Sequence, residues 1–475
     1  MENSDEGQPL LGDERRMTPL KKRQLAIILL VKLADATAYM QVYPYVNQMV
    51  EELHIARNKA SIGYASGLVL SSISVAQIFT NFMWGRISDR IGRKPALLFG
   101  LSGYALSALL FGTSKSFQQM LLARLSMGIL SGNVPIIYSV LSDMTDETNR
   151  ARVIPLNEVT WQIGAFLGAF IGGMLSHPAE RYPKLFDHSV LLKDWPYLLP
   201  CLASCILTIL AFLCTLLLFE ETLPRIVAAR KTMSLVQEED GIEESALVAE
   251  LSSPAPLPTT MELLSDPSRR RIIASGFFLA FFAIGFDPLF ALWNYTPVAL
   301  GGLGREPYEI GLLLSTAAVV GMLLNGFVFH RLEQRFGSLT LFVTGISLWS
   351  INFAAMPIIS AIVRTSGVSS DFAGSTRVSG LWFATLGLLL VEKMASLAYP
   401  AYILIVRAAA PGSGSVGAVF GLAQTAGSLG KCISPALMSS LFAFSIEKQV
   451  LGGQFVWVVL LGITYLARQF AASIR

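Results

Sequence analysis

The sequence predicts an all-α integral membrane protein: twelve transmembrane helices in two six-helix bundles, with both termini cytoplasmic. Three observations predict it. The 475 residues are 53% hydrophobic and only 15% charged, against about 25% charged in an average soluble domain, and the mean hydropathy is +0.55. Apolar windows of spanning length recur along the chain, and one spanning helix needs about 20 such residues. Lys and Arg are shared unevenly between alternate connections. The composition excludes a soluble globule, a disordered chain and a nucleic-acid binder. A net charge of +3 points to no polyanionic or polycationic partner.

The twelve windows fall at about 24–46, 60–83, 96–112, 117–140, 153–176, 197–219, 272–298, 308–329, 338–360, 380–404, 412–441 and 452–472. Their unbroken apolar runs exclude a barrel, whose strands alternate, and the Gly and Pro inside them are tolerated in membrane helices. Residues 1–23 form a polar tail with charges of both signs and no signal peptide. With that tail in the cytoplasm, 22 of the 36 Lys and Arg fall on the inner side and 10 on the outer. Lys32, Arg124, Lys393 and Lys431 lie within spans. The bias supports two inner termini.

Two bundles, 24–221 and 272–475, flank a cytoplasmic linker at 222–271. The linker carries Glu238, Glu239, Asp240, Glu243 and Glu244, then a Pro-rich stretch and Arg269–Arg271, a composition that suits a flexible connection. An internal repeat backs the division. Trp84–Lys94 follows span 2, and Phe329–Gly337 follows span 8. At an offset of 245, Arg86 matches Arg331, Arg90 matches Arg335 and Gly92 matches Gly337. The four cysteines, Cys201, Cys205, Cys214 and Cys432, sit in apolar runs, which argues against a disulfide framework or zinc site.

Gly85-Arg86-Ile87-Ser88-Asp89-Arg90-Ile91-Gly92-Arg93-Lys94 is the strongest local signal. Its glycines permit a tight turn, and Asp89, Arg90, Arg93 and Lys94 suit charge-assisted bonds at helix ends. Here the chain resembles the major facilitator superfamily, whose signature loop has this pattern. Two further stretches resemble motifs of that family. Arg124-x-x-x-Gly128-x-x-x-Gly132-Asn133 is similar to its second motif, in which an intramembrane Arg is associated with proton coupling. Gly164-x-x-x-Gly168-Ala169-x-x-Gly172-Gly173 is similar to its antiporter motif, with Ala169 in place of the usual Pro. Gly164, Gly168, Gly172 and Gly173 keep a small face for close helix packing, and packing alone is the other reading of these glycines.

Further stretches narrow the resemblance: Ala34-Asp35, Tyr43-Pro44-Tyr45, Tyr197–Cys201, Glu220–Pro224, Gly301–Gly304 and Gly421–Gln424. They are similar to fungal and plant members related to zinc-induced facilitators, within the twelve-span drug/proton antiporter group. The resemblance implies a transporter that exchanges protons for a small organic solute, with no cofactor and no enzymatic chemistry.

An ionisable group at mid-bilayer costs about 2.5–3.5 kcal/mol on insertion scales, so each needs a reason. Lys32 and Asp35, three apart on one face of span 1, are placed to pair. Asp35 is a proton-coupling candidate, together with Arg124, Glu392 and Asp287. Glu392 and Lys393 are adjacent and therefore diverge around the helix, so one faces the cavity and the other a neighbouring helix. Asp287-Pro288 marks a kink, a gate or a proton site. Glu158 suits an interfacial, snorkelling position. Tyr39, Asn133, Gln162, Trp293, Asn294 and Gln424 are the substrate-cavity candidates, since a mostly apolar site needs a few directed polar contacts; each serves equally for interhelical hydrogen bonding. The four histidines lie at membrane edges, which disfavours a metal cage; any metal cargo is expected as a chelate or an organic anion.

Alternating access about a central site, with the Asp89/Arg90/Arg93 segment holding the inner side closed, is the expected mechanism. A proton-independent facilitator and a non-transporting receptor of the same fold are the alternatives. The expected partners are a small-molecule solute, protons and the lipid bilayer, with no nucleic acid and a monomeric chain. Glu6-Gly7-Gln8-Pro9-Leu10-Leu11 resembles an acidic dileucine sorting signal, which leaves the vacuolar and plasma membranes as equal expectations.

Overall fold

The computed structural model describes residues 21–145, 150–186, 188–223, 260–366, 376–409 and 416–474; the acidic dileucine stretch and residues 224–259 of the linker lie outside them. Among the described residues every regular element is helical. Helix α1 (Lys22–Met40) leads to a short α2 (Val46–Glu52), then α3 (Ile62–Ile91), α4 (Arg93–Gly112), α5 (Phe117–Leu130), α6 (Asn133–Met144), α7 (Arg150–Leu175) and α8 (Leu198–Leu218). The later part of the chain has α9 (Pro267–Tyr295), α10 (Pro307–Leu323), α11 (Phe329–Phe336), α12 (Ser338–Ser366), α13 (Thr376–Ser396), α14 (Ala398–Ala408), α15 (Val416–Glu447) and α16 (Phe455–Ala472).

Eleven stretches among the described residues are helical, long and apolar enough to cross a membrane. Helix α1 is the expected span outside that set. Its 19 residues include Lys22, Arg23, Lys32 and Asp35, and these charges depress its hydropathy. Helix α8 shows why such helices suit lipid. Ser204, Thr208, Ala211 and Thr215 are buried, whereas Ile206, Leu210, Leu213 and Leu217 are exposed. Small and weakly polar residues let helices approach closely, and the large apolar ones face outward.

The expected signature loop is mostly helix. Trp84–Ile91 continues α3, and α4 starts at Arg93, so one residue, Gly92, makes the turn at φ 105°. That value lies in the region open to glycine. The repeat behaves alike: α11 ends at Phe336, Gly337 turns at φ 77°, and α12 begins at Ser338. The expected spans are also broken internally. Span 4 divides into α5 and α6 at Ser131 and Gly132, where the Gly132 backbone packs directly on the Trp84 indole and leaves no room for a Cβ. A π-helical turn, Leu324–Val328, leads from α10 into α11. Helix α9 runs on through Pro288 as one element.

Two seams join the part before residue 223 to the part after 260: α3 along α15, and α7 along α10. Gly63 and Gly67 of α3 lie against Ser439 and the Pro435 carbonyl of α15, and Gly173 of α7 against Gly311 of α10. The Ser71 hydroxyl accepts the Ala436 N–H at 2.9 Å, and Ser315 donates to the Phe166 carbonyl at 3.2 Å. These contacts gather toward the end of the molecule that holds α2. The opposite end, with Gly92 and Gly337, is called the signature end below.

Candidate functional site

At the signature end, Arg93 is buried and well bonded. Its Nε lies 3.0 Å from the Asp143 carboxylate, and Nη1 donates to Ser88 Oγ at 2.7 Å. Glu221, beyond α8, accepts the Arg93 N–H at 2.8 Å and the Lys94 N–H at 3.1 Å. A carboxylate on the first free amides of a helix satisfies orphan donors and complements the positive end of the dipole. Gln24 of α1 reaches the Leu218 carbonyl and accepts the Glu220 N–H. The signature segment is thus locked to α6 and to the chain just past α8, which Gln24 ties to α1. Gly85 and Asp89 continue the backbone of α3, but the carboxylate of Asp89 lies outside the described residues. Arg90 is exposed at the end of α3.

The intramembrane charges fall into two sets. In the first, Asp35, Lys32 and Arg124 are all buried. Lys32 does not take the expected pairing with Asp35: among the described residues it forms no ion pair, and its Nζ stands 4.6 Å from the Trp161 ring centroid and 6.0 Å from that of Tyr138. A long, flexible stem lets the ammonium prefer a π face over a carboxylate one turn away. The Tyr104 hydroxyl donates to the Asp35 carbonyl at 3.5 Å. Arg124 is 1% exposed. Among the described residues its Nε and Nη2 have no hydrogen-bond partner, Nη1 reaches Met127 Sδ at 3.7 Å, and the guanidinium lies 4.9 Å from the Phe111 ring centroid.

In the second set, Glu392 and Lys393 of α13 correct the expectation that they diverge. The Lys393 ammonium is 3.0 Å from the Glu392 carboxylate, with Glu392 buried and Lys393 half-buried. The four-carbon lysine stem bends back across the angle between neighbours, and in a medium of low dielectric that pairing outweighs the awkward geometry. Lys393 also attracts Asp287 of α9 without an ion pair between them among the described residues, so one cation faces two carboxylates.

The glycines of α7 do pack. Gly164 lies against Ala36 of α1, Gly168 against the Thr37 carbonyl and Gly172 against the Gln41 carbonyl, so even a methyl group collides there. The cavity candidates separate. Tyr39 is half-buried, with its ring centroid 5.9 Å from that of Trp161, and Gln162 lies near Gly321 and Lys393. Gln424 is exposed on α15 beside a small cleft that Tyr399 and Lys431 also line. Trp293 and Asn294 instead sit in the packed core. Trp293 Nε1 donates to Ser360 Oγ at 2.8 Å, and Asn294 Nδ2 to the Phe290 carbonyl at 2.8 Å. Asn133 is fully buried against Gly100, and among the described residues neither of its side-chain polar atoms has a partner. Glu158 is half-buried, held by the Tyr138 hydroxyl at 3.4 Å and Asn157 Nδ2 at 3.2 Å.

The α2 end carries a polar cluster the sequence did not flag. Glu52 accepts from the Tyr197 hydroxyl at 2.5 Å and lies 3.0 Å from His177 Nε2. Glu51 accepts from the Tyr295 hydroxyl of α9 and pairs with Lys59 at 2.9 Å. Burial alone pulls His177 down, yet the carboxylates of Glu52 and Glu180 outweigh it and hold the imidazole above its ordinary pKa. Burial pushes Glu52 up, but the bonds from His177 and Tyr197 hold it below the usual carboxylate range. A cavity of about 560 Å³ opens beside this cluster, lined in part by Glu51, His177 and Arg305.

The family model for the Major Facilitator Superfamily matches residues 25–464, nearly the whole chain. The chain belongs to the major facilitator superfamily. It is 33% identical over 476 residues to the major facilitator-type transporter psiT2 of Psilocybe cyanescens, covering 95% of this chain and 89% of that one. It is 25% identical to zinc induced facilitator-like 1 of Arabidopsis thaliana, covering 95% and 92%. A major facilitator superfamily multidrug transporter of Aspergillus fumigatus is also 25% identical, over 90% of this chain and 79% of its own length. Among solved structures, the D-xylose-proton symporter superposes with a TM-score of 0.68 at 14% identity, covering 95% and 97%. The human organic anion transporter MFSD10 superposes at 0.58 and 18% identity, covering 96% and 100%. The suspected membership is therefore shown: a multi-pass membrane protein of a transporter superfamily, not an enzyme. At the signature end, motif reading missed Asp143 altogether, and it singled out Glu221 within Glu220–Pro224 without its capping role. Glu221 had a visible signal, an acidic pair just past an apolar run; Asp143 had none.

Proposed function

We propose that the protein is a secondary active transporter that moves a small organic solute by alternating access, in exchange for protons. The observation that carries it is the presence of four carboxylates and four cations within the apolar helices, several without an ion pair among the described residues. An uncompensated charge there costs free energy, and a protein retains that cost where the charge takes part in transport. In this reading α1 is the twelfth span, its charges accounting for its lower hydropathy. Six helices in 24–221 and six in 272–475 rock about the centre, and both termini lie in the cytoplasm. The signature end is then cytoplasmic. The contacts gathered at the α2 end favour a conformation closed on the far side. Asp35 and Glu392 carry the coupling, with Arg124 and Asp287 setting their charge, and the host membrane is vacuolar or plasma.

The test is solute counterflow in proteoliposomes with and without an imposed pH gradient. Proton exchange predicts accumulation that follows the gradient and collapses with a protonophore. Counterflow indifferent to the gradient selects the facilitator.

A further inference from the structure

Two side-chain contacts tie the halves together beside the cavity of about 560 Å³ at the α2 end. The Tyr295 hydroxyl of α9 donates to Glu51 of α2, and the Arg181 guanidinium lies 3.9 Å from the ring centroid of Tyr308 in α10. Glu51, Arg181 and Tyr295 line that cavity, and so does His177. His177 stands between the two contacts. On one side its Nε2 is 3.0 Å from the carboxylate of Glu52, the residue next to Glu51. On the other, its carbonyl accepts the Arg181 N–H at 3.0 Å, closing the single turn Pro178–Arg181 that carries Arg181 to Tyr308. The His177 N–H is held by the Pro196 carbonyl at 3.1 Å. Its φ of 52° is one that residues with a side chain rarely adopt. The supports of both contacts therefore meet at one imidazole.

The groups facing that ring suit one protonation state. Nε2 faces Glu52 and also the Tyr197 hydroxyl at 3.0 Å, which itself donates to Glu52. Nδ1 faces Glu180 at 3.6 Å. Farther round the cavity stand Lys59, which pairs with Glu51 at 2.9 Å, and Arg305 and Glu306 of the later half. A neutral imidazole donates from one nitrogen, whereas the imidazolium donates from both. A carboxylate at each ring nitrogen therefore fits the imidazolium, in keeping with the raised pKa described above. We propose that His177 is a pH sensor on the far side: protonated, it braces α2 and the Arg181 turn and holds the α2 end shut. Neutral, it gives up one of its two carboxylates and slackens both contacts. A proton that binds the closed form more tightly than the open one favours closure, by linkage. The α2 end thus closes as the compartment it faces turns acidic and opens as it turns alkaline. This regulates the transport cycle proposed above and rests on its alternating access, but it does not require that protons be exchanged.

The experiment measures opening of the α2 end by double electron–electron resonance on purified full-length protein in nanodiscs, with no solute and no gradient. Spin labels carried by a non-canonical amino acid replace Arg57 and Thr365, exposed positions of the two halves. In wild type the long-distance population should grow about threefold or more from about pH 5.5 to about pH 8. His177→Gln should remove that response and hold the population near its alkaline value. Glu52→Gln and Glu180→Gln should each move the midpoint to lower pH, Glu52→Gln further. Asp35→Asn should respond as wild type does. Should His177→Gln fail to fold, the two carboxylate variants carry the comparison, and unmoved midpoints in both would overturn the proposal. So would a wild-type population indifferent to pH, a response retained in His177→Gln, opening that grows with acid, or a response that Asp35→Asn abolishes. Loss of proton exchange with the response intact removes the coupling reading and leaves the sensor standing. Gradient-driven flux with no such response does the reverse.

Discussion

The buried charges of the two halves are arranged in opposite ways. In the later half, Lys393 closes on Glu392 at 3.0 Å and attracts Asp287 as well. In the earlier half, Lys32, Asp35 and Arg124 are all buried, and no ion pair joins them among the described residues. A closed pair is neutral as a unit and resists change, because removing one partner strands the other. An unpaired charge is costly at rest but can be satisfied by a proton or a solute. The earlier half is accordingly where cargo or protons can change the energy most. The later half holds Lys393 in a closed pair, with Asp287 as a second carboxylate attracted to it.

The largest expected effect comes from breaking the closed pair. Lys393→Met leaves Glu392 and Asp287 without their cation and should cost about 3–5 kcal/mol of stability, read as a lowered thermal midpoint in detergent. Glu392→Leu combined with Lys393→Met should recover most of that loss. Arg124→Met has no pair to break, so its midpoint should move by no more than about 1 kcal/mol equivalent, while pH-driven counterflow falls. Equal destabilisation by the two single changes would erase the distinction between the halves.

The two glycine turns carry the comparison to the signature end. Gly92 and Gly337 turn the chain alike, yet α4 begins on a carboxylate from far along the chain, Glu221, whereas the Ser338 hydroxyl beside Gly337 only reaches nearby Glu333, at 3.0 Å. Glu221→Gln should therefore cost about 1 kcal/mol, and Ser338→Ala a few tenths, measured on the same midpoint. A larger loss from Ser338→Ala would show that the turns are held alike.

The smallest effect lies at the α2 end. The raised pKa of His177 contributes stability that is present below its ordinary pKa and fades as pH rises through the raised value. The lowered pKa of Glu52 contributes stability that is present above the ordinary carboxylate range and fades as pH falls through the lowered value. The pair is thus strongest in the window between, and stability should decline modestly from pH 6 to 8. His177→Gln should flatten that decline, by at most about 1 kcal/mol for a partly exposed pair. An unchanged slope would remove His177 as its source.

Much of the architecture is legible in the sequence because lipid imposes a coarse rule: a run of about 20 apolar residues must be helical. The repeat at an offset of 245 also predicted the equivalence of Gly92 and Gly337. Side-chain partners were less legible, for a physical reason. Lysine stems span the angle between neighbouring residues, so Lys393 found Glu392 despite its register, and Lys32 found Trp161 instead of Asp35. Trp293 and Asn294 looked like cavity residues because polarity within a span is visible, while its direction toward Ser360 or a backbone carbonyl is set by tertiary packing. The break between α5 and α6 depends on the indole of Trp84, nearly fifty residues earlier, which no local pattern encodes.

The central claim is that Asp35 of the earlier half and Glu392 of the later couple solute to protons, and Asp35 tests it most directly. The measurement is solute-driven proton flux in proteoliposomes for wild type, Asp35→Asn and Lys393→Met. The account predicts that Asp35→Asn still exchanges solute by counterflow but moves no protons with it, while Lys393→Met loses stability. Wild-type proton flux in Asp35→Asn would contradict it.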